Sequence, residues 1–178
     1  LPCALKTGAP QIAVDMAEAS RLAGVGPMAA VAGAFAQYIG EALAKRSRDV
    51  IVENGGDIYL RSARQRRIGI FAGSSPLSNR IALLIRPEDT PSGVCTSSGT
   101  VGHSLSLGNA DAVVILSPSA ILADAVATAA GNLVQCREDV EKAVAFAAGI
   151  AGITGAVAIK EDRLAASGKI KLVPLKYS

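Results

Sequence analysis

Apolar residues recur at helical spacing in the first quarter of the chain. Ile12, Met16, Ala19 and Leu22 predict an amphipathic helix over residues 11–22. Gly24 and Gly26 end it, and Pro27 stands where a first helical turn tolerates proline. The second predicted helix runs from there to about residue 45. It is apolar around most of its girth, so it is expected to be largely buried. Lys45, Arg46 and Arg48 at its end suit the negative pole of the helix dipole. The period then shortens. Residues 50–53 and 57–61 predict two short strands flanking the turn Asn54-Gly55-Gly56. Residues 67–71 and 80–86 predict two more, and residues 87–92 form a polar, proline-bearing connection. The stretch 93–108 is rich in Ser, Thr and Gly and shows no clear period. Residues 110–116 predict a buried strand, 118–135 a helix, and 139–148 another helix ended by Gly149. The tail alternates as strands do, over 155–160, 164–166 and 169–175.

Helices and strands come in clusters and do not alternate strictly. That favours one compact α+β domain over residues 1–178, with an antiparallel or mixed sheet packed against helices. No internal repeat or long linker divides it.

Composition narrows the picture. The chain has 178 residues, half of them apolar, which allows one substantial core. A net charge of +3 is slight. The basic run RSARQRR at 61–67 lacks interleaved aromatics and reads as a solvated edge, so no nucleic-acid partner is expected. No apolar run reaches ~18 uninterrupted residues, and no membrane helix is expected. Cys3, Cys95 and Cys136 are odd in number and have no CxxC spacing, which points to a reducing, cytoplasmic setting. The chain begins at Leu1 without Met, which leaves room for a leader upstream. The Ala/Gly-rich helix after Pro27 is either core or the interface of a homodimer.

Three segments could carry chemistry. In Glu53-Asn54-Gly55-Gly56-Asp57, the glycines let the backbone approach a phosphate, or simply form a hairpin turn. Cys95-Thr96-Ser97-Ser98-Gly99-Thr100, followed by Gly102-His103-Ser104, gathers hydroxyls, a thiol and the only histidine. Such a loop can surround a polar ligand, with His103 as a candidate catalytic residue, or can bond its own backbone. Asp124 and Thr128 are four apart, so they stack on one helix face. There they could offer two hard oxygen ligands to a divalent cation, or serve as a helix-end charge and a hydroxyl bonded to the preceding turn.

The order of these segments resembles the ApbE superfamily, whose enzymes transfer FMN from FAD to proteins. Val52-Glu53-Asn54-Gly55-Gly56-Asp57-Ile58 is similar to the family's strand and Gly-Gly-Asp turn. Thr96-Ser97-Ser98-Gly99 is similar to its Thr-Ser-Gly stretch, with one residue more. His103 is the counterpart of the histidine that opens the family's His-Ile-Ile-Asp-Pro segment. Ala123-Asp124-Ala125-Val126-Ala127-Thr128 matches every fixed position of its Ala-Asp-Ala-x-Ala-Thr helix. The resemblance implies magnesium held by Asp124 and Thr128 beside the pyrophosphate of FAD. It places Gly55, Gly56, Asp57, Thr96, Ser97, Ser98 and Gly99 in the nucleotide site. The chemistry implied is attack of an acceptor protein's hydroxyl on the FAD phosphate, with AMP leaving.

The departures are specific. The family's Lys-Gly pair before the Gly-Gly-Asp strand is replaced by Gly24-Val25-Gly26-Pro27-Met28-Ala29, and Ser104-Leu105-Ser106 follows His103. GVGPMAAVAG at 24–33 and CTSSGTVGHS at 95–104 are similar to a shorter ApbE-related branch. Three readings stand on this sequence: a magnesium-dependent FMN transferase or FAD pyrophosphatase, a non-catalytic nucleotide- or anion-binding relative, and a sulfur-handling protein that uses Cys95.

Overall fold

The computed structural model describes residues 7–100 and 107–175. Helix α1 (Gln11–Ala23) ends where the sequence places glycine. Gly24 takes φ +74°, and the N–H of Val25 closes the end on the carbonyl of Ser20 at 2.9 Å. Pro27–Ala30 is a turn of 3-10 helix, after which α2 runs over Val31–Ala44. The Asn-Gly-Gly signal makes a hairpin of β1 (Val50–Asn54) and β2 (Asp57–Arg61), paired from Val50 with Arg61 to Asn54 with Asp57. Strands β3 (Arg66–Gly69) and β4 (Ile81–Ile85) follow, then β5 (Ser92–Ser97) and β6 (Ala112–Ser117). Helices α3 (Ala120–Asn132) and α4 (Val140–Ala148) precede the final strands β7 (Gly155–Lys160), β8 (Arg163–Gly168) and β9 (Leu172–Pro174).

Six strands form one antiparallel sheet in the order β1-β2-β5-β6-β7-β8, and β3-β4-β9 form a second. The alternation of the central strands divides the core in two. One face, carrying Tyr59, Cys95, Val113 and Ile115, packs under the helices. The other, carrying Leu60, Val94, Val114 and Val157, packs against Leu83 and Ile85 of the small sheet. The architecture is α+β, with helices, large sheet and small sheet in three layers.

Strand β5 falls in the stretch whose sequence showed no period. Its residues are small because α3 lies close. A Cβ on Gly93 would come within 2.3 Å of the Cα of Ala120. The strand is recognisable only by what it packs against.

The expectation that the second helix is largely buried is corrected by the structure. Gly33, Ala34, Ala36 and Gly40 face the core. Phe35, Ile39 and Leu43 stand half in solvent, and Met28 before them is 72% exposed. The helix buries only its small-residue side, which lets α2 lie close to α3 and β2. Among the described residues, no single helix is long and apolar enough to cross a membrane.

Candidate functional site

Asp57 is the first residue of β2, and the antiparallel pairing of β2 with β5 carries it beside Thr96. The N–H of Thr96 donates to its Oδ1 at 3.3 Å. Asp124 stands one turn into α3, which crosses under β5, and its carboxylate lies near that of Asp57. Both side chains are buried, at 7% and 8% exposure. Burial first, and then the charge of Asp124, push Asp57 up to about 8. Asp124 is pushed up to about 6 by burial, opposed by hydrogen bonds from the N–H groups of Gly33 and Ala32. Two such carboxylates cannot both ionise freely, so near neutral pH the pair retains a proton that ordinary carboxylates would have lost.

The two N–H groups that reach Asp124 belong to the first turn of α2. That helix has no side-chain cap of its own, since its capping position is Ala30. Asp124 therefore does double duty, capping α2 from another helix and facing Asp57. The approach requires glycine at 33, where a Cβ would meet the carbonyl oxygen of Ala120 at 2.3 Å and the Cβ of Asp124 at 2.8 Å. Thr128, half-buried, lies one turn further along the same face of α3.

The turn above the pair is a two-residue hairpin in which Gly55 and Gly56 take φ +65° and +101°. The N–H of Gly56 donates to Oε1 of Glu53 at 2.7 Å. This donor serves its own hairpin, as the plain turn reading of the motif expects. Asn54 Nδ2 reaches the carbonyl of Ala32 at 3.4 Å and ties the turn to the start of α2.

The Ser/Thr segment divides in two. Thr96 and Ser97 end β5: the N–H of Thr96 reaches Asp57, while Ser97 Oγ lies against Gly131, about two turns along α3 from Asp124. Ser98 and Gly99 turn away: Gly99 N–H and Ser98 Oγ both donate to the carbonyl of Ala110, at 2.8 and 3.4 Å. Thr100 Oγ1 donates to Asp111. His103 lies outside the described residues.

Cys95 is fully buried under α3. Its thiol lies 3.3 Å from the carbonyl of Ala120 and also within reach of Asp57. Burial, reinforced by the charges of Asp57 and Asp124, pushes the thiol well above its ordinary range. A thiolate nucleophile needs the opposite surroundings, exposed and electropositive. These surroundings count against the sulfur-handling reading.

The sequence did not single out Asp111. It is buried, accepts from Glu161 N–H at 2.6 Å, and meets Thr100 and Lys160, so that it fixes the start of β6 to the end of β7. Its only signal is an acid opening an otherwise apolar strand. A cleft of about 340 Å³, lined by Leu84, Ile85, Asp89, Pro91, Leu116 and Lys169 among others, lies at the opposite end of β5 from Thr96.

Comparison with known proteins adds kinship. A family model described as AbpE bacteria matches residues 1–165. A UPF0280 protein of Methanosarcina acetivorans is 44% identical over 164 residues, which is 91% of this chain and 64% of that protein. A UPF0280 protein of Methanococcus maripaludis is 49% identical over 134 residues, 74% of this chain and 54% of its own length. The chain thus spans between about half and two thirds of the length of these two relatives. Among solved structures, the Flavin Transferase ApbE from Vibrio cholerae aligns with TM-score 0.53 and 18% identity, over 76% of this chain and 47% of that one. The apo form of Pseudomonas stutzeri flavinyl transferase ApbE aligns with TM-score 0.53 and 19% identity, over 82% and 49%. At such identities the likeness is one of fold.

Proposed function

The chain belongs to the family described as AbpE bacteria, and from that membership we propose that its carboxylate pair forms a divalent-cation and flavin-nucleotide site. The reaction is FMN transfer from FAD to an acceptor protein's hydroxyl, or hydrolysis of the FAD pyrophosphate. The observation that carries this reading is the burial of Asp57 and Asp124 together, with a retained proton where a cation would serve as well.

The donor set suits a hard cation such as magnesium: Asp124, Asp57 and the hydroxyl of Thr128 all offer oxygen. Among the described residues, no group of three or more His, Cys, Asp or Glu side chains is arranged to hold a metal. The remaining ligands would therefore come from water and from phosphate oxygens, as magnesium sites commonly arrange. When bound, the cation offsets charge developing on the phosphoryl oxygens and on the departing AMP. The chain's own part is positional: Asp124 is held by the start of α2, and Asp57 by its bond from the N–H of Thr96.

A second reading, a relative that binds the nucleotide without turnover, is favoured by the absent lysine in residues 24–29 and by the engagement of Gly56 N–H with Glu53. One experiment separates the two: calorimetric titration with FAD, with and without magnesium, followed by assay for AMP and FMN. Magnesium-dependent binding, lost in Asp124→Asn, together with AMP release supports the enzyme. Binding with neither product supports the second reading. No binding by the intact protein removes both.

A further inference from the structure

The side of α2 turned away from the core is an apolar stripe with a cationic end. Phe35, Ile39 and Leu43 follow at four-residue intervals, with Met28 seven before Phe35, and all four are about half exposed or more. Isolated exposed apolar residues need no explanation, but a contiguous run along one helix marks an interaction surface.

The cations are gathered by the fold. Lys45, Arg46 and Arg48 follow α2 directly, and the β1–β2 hairpin returns Arg61 to the same place, where its Nη1 donates to the carbonyl of Ala44 at 3.1 Å. Arg64 stands exposed just beyond. The one acid among them, Asp49, already accepts from Ser62 Oγ, Ala63 N–H and Arg66. The hairpin's other acids, Glu53 and Asp57, are at its opposite end.

We propose that this stripe docks a protein segment whose apolar residues run along α2 and whose acidic residues meet the cations at residues 45–64. The charges choose this occupant. An anionic bilayer calls for cations along the flanks of an apolar stripe, whereas the sides of α2 carry Glu41 and Tyr38, the latter bonded to Asp15 at 2.6 Å. A second copy fits no better. Antiparallel pairing of two α2 helices sets the cations against residues 24–36, which contain no Asp or Glu, and parallel pairing sets cation on cation. The inference stands apart from the reading of the carboxylate pair.

The test uses a displayed library of random 16-residue peptides, selected on the intact protein and counter-selected on the doubly substituted Phe35→Ser, Ile39→Ser protein. Both positions are exposed, and circular dichroism checks that the variant keeps its fold. The expected binders carry apolar residues at helical spacing and Asp or Glu at one end. Their binding should weaken at least tenfold in the double variant and in Arg46→Glu, Arg48→Glu, and should fall as salt rises. Selection yielding no binders, or binders without acidic enrichment, overturns the proposal. So does sedimentation showing a dimer that the stripe variant abolishes. Flotation of the protein with phosphatidylserine vesicles, lost in that variant, likewise assigns the surface to lipid and overturns it.

Discussion

Asp124 accepts a 2.8 Å hydrogen bond from the N–H of Gly33, ninety-one residues earlier in the chain, and so caps a helix to which it does not belong. Its carboxylate has two tasks that substitution can separate. Asparagine keeps an oxygen for the cap and removes the charge; alanine removes both. Asp124→Ala is expected to lose about 1–2 kcal/mol of stability, the usual cost of an N-cap. Asp124→Asn should lose less than half of that, yet abolish magnesium-dependent ligand binding as fully. Urea denaturation beside calorimetry reads the two effects. Equal destabilisation by both variants would mean that the charge, not the cap, matters to folding.

Gly33→Ala should be costly out of proportion to one methyl group. The added carbon would sit 2.3 Å from a main-chain oxygen of α3, which cannot rotate aside. Helix propensity alone would favour alanine by up to about 1 kcal/mol. The overpacking should outweigh it and leave a net loss of about 2 kcal/mol or more by chemical denaturation.

Stability should fall as pH rises through neutrality. Asp57 holds its proton to about 8 in the folded protein, against about 4 for a free aspartate. Between those values the folded state binds more protons than the unfolded, so the contribution is fully present below about pH 4 and is lost by about pH 8. Thermal melts across pH 5 to 8, without divalent cations, should show this slope, and Asp57→Asn should flatten it. An unchanged slope in the variant would place the titration elsewhere.

Cys95 should resist iodoacetamide in the native protein while Cys136, which is exposed, reacts. Peptide mapping after a timed pulse distinguishes them, and denaturant should make Cys95 reactive. Native labelling of Cys95 at a rate near that of Cys136 would restore the sulfur-handling reading.

The legible parts of this fold are those with local signals. Gly24 ends α1, Asn54-Gly55-Gly56 sets the register of the first hairpin, and the apolar run before Ser117 is a central strand. Strand β5 was illegible because Gly93, Cys95 and Ser97, on its side facing α3, are small for clearance and not arranged as alternating hydrophobics. The outer face of α2 was misread for a related reason: an apolar helix looks buried all round when its sequence does not say which side finds a partner. At the site, the motifs named Asp57 and Asp124 separately. Their meeting, and the hold of α2 on Asp124, depend on strand order and helix crossing, which no spacing encodes.

The small sheet has a consequence for synthesis. Its middle strand, β4, pairs with β3 just before it but also with β9, so that Ala82 lies opposite Val173. While a ribosome is still translating the intervening segment, Leu83 and its apolar neighbours have half a sheet and no closing strand. The nascent protein must hold that hairpin without misassociation for some ninety codons, at roughly 5–20 residues per second for several seconds or more. Removal of residues 172–174 would leave the small sheet, however well the rest folded, in the condition of a nascent chain whose closing strand has not yet emerged.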